Sequence, residues 1–157
     1  MDAVGKSWLP AVVLHLGDVA LRAYALETIP RLPGRIYLVP RNHDKGQIRE
    51  VVRGWGCTIV KPFEILYRGW LVKFTHQPVD EEGPPLPAGV INVHGHIHSK
   101  ADPSPRHINV SVERLDYRPT RLGDWCLSRT TVRRRDRVEG LVRAGVVIRE
   151  QQGALRI

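Results

Sequence analysis

The sequence predicts an α/β fold, and three observations carry that expectation. Short apolar runs rich in Val, Ile and Leu recur along the chain and read as buried strands. Four of these runs end in a cluster of polar, metal-capable side chains followed by a loop. The composition, 157 residues with 42% hydrophobic and 25% charged, is that of an ordinary globular protein and excludes disorder, collagen and coiled coil. A chain of this length buries roughly 68–70% of its unfolded surface on folding.

Taken in order, residues 11–16 (AVVLHL) form the first strand, closing on Gly17 and Asp18. Residues 24–29 can form a short helix before Pro30 and a turn at 32–34. Residues 35–39 (RIYLV) are a second strand, stopping at Pro40, Arg41, Asn42, His43 and Asp44. Residues 48–52 read as a helix closed by Gly54, and 58–60, 63–67 and 70–75 as strands, the last pair a hairpin through Arg68 and Gly69. The third polar end is Thr75, His76, Gln77 and Pro78. A loop at 80–89, rich in Pro, Gly and acid, leads to a strand at 90–93, then to the run His94-Gly95-His96-Ile97-His98 and a strand at 108–113. From Ser128, a cap residue, apolar Val132, Val138, Leu141 and Val142 fall at helical spacing up to Gly145. Residues 146–149 and 154–157 then read as a hairpin, so the tail resembles the last half of a winged helix. The expected domains are 1–119 and a basic helix-hairpin appendage at 120–157.

The 24 Lys+Arg against 16 Asp+Glu give a net charge of +8, which favours phosphate-bearing partners. Between Arg121 and Arg156 nine arginines face four acids. That excess suits a nucleic-acid backbone, and a solvated helix face explains Arg133, Arg134, Arg135 and Arg137 equally well. No apolar run approaches the ~20 residues that cross a bilayer. The leader carries Asp2 and Lys6 and no signal-peptide core, and Cys57 and Cys126 lack ligand spacing. A soluble, cytoplasmic protein with reduced thiols and no membrane partner is expected.

Asp18, Asn42, His43, His76, His96 and His98 all fall just beyond the carboxyl end of an expected strand. In α/β sheets that edge is where sites form. Carboxylate, imidazole and amide oxygen are the ligands of a borderline or hard divalent ion. His96 and His98 share a face on an extended strand and diverge toward two neighbouring ions in a tight loop. Taken singly, an Asp after Gly is commonly a turn residue and a lone His a surface residue. Three histidines in five residues beside apolar strands place several costly polar groups together. His94 reads as a residue supporting the ligands or as packing, His15 as a packing or surface residue, and His107 as a loop residue near the site.

The order Gly17-Asp18, Asn42-His43-Asp44, His76 and Gly95-His96-Ile97-His98 resembles the calcineurin-like metallophosphoesterase superfamily, most closely its small bacterial and phage members. The likeness covers residues 11–119 and includes HLGD (15–18), GRIYLVPRNHD (34–44), THQP (75–78), HGHIH (94–98) and YRP (117–119). It implies two packed β-sheets flanked by helices. It further implies that Asp18 bridges two divalent ions, that Asn42, His76 and His96 complete the shell of the second, and that His98 belongs to the first. His43 is then the residue that hydrogen-bonds a phosphate oxygen or protonates the leaving group, with Asp44 as its orienter, and Arg41 adds a donor to the phosphate. The ions would be manganese, with iron, zinc and nickel as alternatives.

Two departures modify these expectations. The family's first strand ends in Asp-x-His, and no such motif precedes Asp18. The first ion then keeps only Asp18 and His98, so its site is expected to be weak or empty, leaving one or two bound ions as the alternatives. The sheet would be N-terminally truncated, with the natural frame starting upstream or a strand lent by a second copy in a homodimer. Arg41 also stands where the family has glycine. The implied function is hydrolysis of phosphomonoesters or phosphodiesters by a metal-activated water. The alternative is a catalytically impaired relative that binds nucleic acid or protein through its basic tail.

Overall fold

Parallel strands pair where apolar segments are short and the intervening chain returns each one to the same edge. β1 (Val12–His15) and β2 (Arg35–Leu38) pair in this way, with Val12 opposite Arg35 and His15 opposite Leu38. β3 (Thr58–Ile59) adds in parallel to the other side of β2. α1 (Gln47–Gly54) lies between β2 and β3 in the chain, and its Val52 joins Ile36, Leu38 and Cys57 in the core of this sheet. Val13, Val19, Trp55 and Ile59 pack around that core. The helix ends at Gly54 as expected, and Gly56, at φ 78°, follows as its capping glycine. The Gly56 and Cys57 N–H groups donate to the carbonyls of Arg53 and Val52, at 2.9 and 3.1 Å, which is the Schellman arrangement. The structure, a computed structural model, describes residues 12–19, 34–41, 47–79 and 86–128. The chain divides into two units between Val60 and Lys61.

The second unit carries β4 (Phe63–Tyr67), β5 (Trp70–Phe74), β6 (Val90–His94) and β7 (His107–Asn109), hydrogen-bonded in that order. β4 and β5 are the expected hairpin. Arg68 and Gly69 both have positive φ, 50° and 77°, as the favoured two-residue hairpin turn requires. β4 alternates half-buried and exposed residues as an edge strand does, whereas every residue of β6 is buried between its two parallel neighbours. The largest fully buried side chains include Trp70, Leu86, Ile91 and Ile108. A 3-10 turn (Val112–Arg114) and α2 (Leu122–Ser128) follow β7. A Cβ on Gly123 of α2 would stand 3.3 Å from the Tyr67 hydroxyl, so the glycine permits that approach.

The helix-flanked, two-sheet metallophosphoesterase sandwich expected from the sequence is corrected by this architecture. Sheet outweighs helix in the described residues, and α-helix is confined there to segments of 8 and 7 residues. The physical reason is visible in residues 95–106. This crossover from β6 to β7 is built of turns, and its Gly95, Pro103 and Pro105 leave no stretch on which a helix could propagate. The strand expected at 108–113 ends at Asn109 and passes into the 3-10 turn. α2 lies in the same unit as β4 to β7. The helix expected at 24–29, the loop at 80–85 and the helix-hairpin beyond residue 128 lie outside the described residues.

Candidate metal centre

In the first unit the chain leaves β1 through buried Leu16 and turns at Gly17 and Asp18, with φ 91° and 51°. Asp18 is a non-glycine residue in left-handed backbone, a conformation that aspartate tolerates better than most. Arg41, beyond the end of β2, donates from Nη1 to Asp18 Oδ1 at 2.9 Å. Both side chains are about one-third exposed, at 31% and 27%. Arg41 is not in the left-handed region, so no glycine is needed at its position. Asn42, His43 and Asp44 lie outside the described residues.

The second unit carries its candidate ligands beyond β5 and β6. The two strands are parallel, with Phe74 opposite Val93, so the segments that follow leave the sheet at one edge. Backbone bonds continue the pairing past the strands: Thr75 N–H to the Val93 carbonyl at 3.1 Å, and Gly95 N–H to the His76 carbonyl at 3.0 Å. The buried His76 ring thereby meets the His96 ring edge-on, with centroids 5.0 Å apart and planes at 66°. His96 is held at φ 66°, and the Gln77 amide lies 3.3 Å from its Nε2.

Asn92, fully buried on β6, anchors the His76 segment. Its Oδ1 accepts from Val79 N–H at 3.0 Å, and its Nδ2 donates to the Lys73 carbonyl at 3.2 Å and to Thr75 Oγ1 at 2.9 Å. His98 turns toward the 3-10 turn, where its Nδ1 lies 2.7 Å from Glu113 Oε1. His94 and His107 are both fully buried, with rings 5.7 Å apart at 67°. The sequence placed His107 in a loop, but it is a strand residue of β7, tied to the Val79 carbonyl at 2.7 Å and to Ser104 Oγ at 2.9 Å. Gln77, Asn92, Asn109 and Glu113 were not singled out from the sequence. Their only signal there is a polar side chain inside or just beyond an apolar strand.

Among the described residues, the first unit offers a metal-capable carboxylate, Asp18, and the second two metal-capable imidazoles, His76 and His96. One carboxylate and two imidazoles are the donor chemistry of a borderline divalent cation, so these residues fit the group that the motifs imply. No family model matches the chain, and no curated protein matches it. Among solved structures it is similar to AQ665, a protein of unknown function from Aquifex aeolicus. The two are 24% identical with a TM-score of 0.51, over 69% of this chain and 70% of that one. That likeness shows a shared fold, and it accompanies the sheet-rich architecture described above. No helix among the described residues is long and apolar enough to cross a membrane.

Proposed function

We propose that the protein is a divalent-metal-dependent phosphoester hydrolase, with Asp18, Asn42, His76 and His96 as ligands of one ion and His98 directed to another. The observation that supports this best is the His76–His96 pair. Two imidazoles from successive parallel strands are fixed against each other by backbone bonds, so their positions are set before any ion arrives. A bound manganese, iron, zinc or nickel ion would polarise a phosphoryl oxygen and make water a nucleophile near neutral pH. His43 then donates to a phosphate oxygen or hands its proton to the leaving-group oxygen, oriented by Asp44. Arg41 offers guanidinium N–H donors to the phosphate while staying within reach of Asp18. The reading rests on donor chemistry rather than on fold, because one chemistry recurs on many folds. The cytoplasm is its proposed compartment, where the free thiol of buried Cys57 stays reduced.

A second reading is favoured by the Arg41–Asp18 ion pair, in which a guanidinium occupies the carboxylate that an ion would use. On that reading the protein is a binding module whose arginine-rich tail, residues 121–156, holds nucleic acid. Manganese-loaded protein assayed on aryl phosphodiester and monoester tests the choice. Turnover lost in His76→Ala and in His43→Ala supports the hydrolase. Absence of turnover, with salt-sensitive binding of single-stranded DNA, supports the module.

A further inference from the structure

We propose that Glu113 is the positioning residue of His98, holding its imidazole as the Nδ1–H tautomer so that Nε2 presents a lone pair to a divalent cation. The inference rests on the reading of His98 as a metal ligand and adds a residue that the motif resemblance left without a role. The contact is short, 2.7 Å from His98 Nδ1 to Glu113 Oε1. An ionised carboxylate only accepts, so the hydrogen must sit on Nδ1, and Nε2 becomes the acceptor. A carboxylate behind an imidazole is the arrangement that fixes ring orientation and raises basicity in metal sites.

The contact is imposed by the surroundings. Buried Asn109, at the end of β7, donates from Nδ2 to the His98 carbonyl at 2.6 Å, while its Oδ1 accepts the Ser111 N–H at 2.9 Å. Ser111 precedes the 3-10 turn that carries Glu113. One side chain therefore sets the spacing of both partners. Asn109 is itself fixed by its backbone N–H, which donates to Asp102 Oδ1 at 2.7 Å. His98 reaches this position only in left-handed backbone, φ 51°, with its side chain 68% exposed. An exposed ion pair contributes too little to explain such strain by itself. The arrangement leaves Nε2 as the ring atom presented to solutes.

The test uses the full chain labelled with 15N-histidine, free of metal and at about pH 8, above the ordinary imidazole range. Long-range 1H–15N correlation reads the tautomer, with the His98 signals identified by their loss in His98→Ala. The wild type is expected to show Nδ1–H, Glu113→Ala to shift toward Nε2–H, and Glu113→Gln to keep Nδ1–H because its amide oxygen still accepts. Zinc titration by calorimetry should show the His98-dependent affinity weakened about 10- to 100-fold in Glu113→Ala and largely restored in Glu113→Gln. An unchanged tautomer in Glu113→Ala would overturn the inference. A shifted tautomer with identical zinc binding in wild type and His98→Ala would uphold the positioning role and overturn the reading of His98 as a ligand.

Discussion

Holding a side-chain-bearing residue in left-handed backbone costs on the order of 1–3 kcal/mol, and such strain persists where the surroundings over-determine it. Among the described residues six non-glycine positions carry it: Asp18, Arg68, His96, His98, Asp116 and Tyr117. Arg68 serves the hairpin turn, and Asp18, His96 and His98 are three of the residues that the motifs single out as ligands. His96→Gly relieves the strain and removes a donor. Stability of the metal-free protein, read by urea unfolding, is expected to change by less than about 1 kcal/mol. Manganese affinity is expected to fall at least tenfold, on the order of what a lost hydrogen-bonding or ligating group removes. His76 and His96 were legible in the sequence because each follows an apolar run and belongs to a spaced set. Glu113 and Asn109 were not, because their roles depend on a short 3-10 turn meeting a loop from earlier in the chain. Cys57 offers a separate test. Burial pushes its thiol above the usual range, so the folded state holds the proton more tightly than the unfolded one. Its contribution is complete below the unfolded thiol's pKa and is lost as pH rises through the folded value. Urea midpoints measured up the alkaline range should therefore decline more steeply for wild type than for Cys57→Val.

At the scale of elements, the second unit is organised by β6, which is buried along its whole length yet carries the polar Asn92 and His94. Asn92 ties β5 to the segment that bears His76, and nothing else described satisfies Val79 N–H. Asn92→Ala is expected to cost at least about 2 kcal/mol in chemical denaturation, since it strands buried polar groups. Metal affinity should fall with it, because His76 loses its anchor. Ile108→Ala, equally buried on β7, should cost about 2–5 kcal/mol. Strands and the Arg68–Gly69 hairpin could be read from period and turn chemistry. One end could not: the strand pattern of Val110 and Val112 is cut short. There Asn109 Oδ1 takes the Ser111 N–H and diverts the backbone from the ladder.

For the molecule as a whole, apolar patterning located the strands but not their grouping. The flanking helices implied by family resemblance require helix-competent crossovers, and the stretch from Gly95 to Arg106 is committed to turns. The sheets fall in separate units, three strands before Val60 and four after Lys61. A ligand that binds only the folded chain stabilises it by mass action, about 2.7 kcal/mol at a hundredfold excess over Kd. Manganese should accordingly raise the thermal midpoint, and a chelator should reverse the rise. The most direct measurement is metal content per chain on protein stripped with chelator, reloaded with manganese and desalted, comparing wild type with a His76→Ala/His96→Ala double variant. The account predicts at least one ion retained per wild-type chain, with phosphoester turnover, and loss of both in the variant. A wild type that retains no ion, or a double variant that keeps it, would contradict the account.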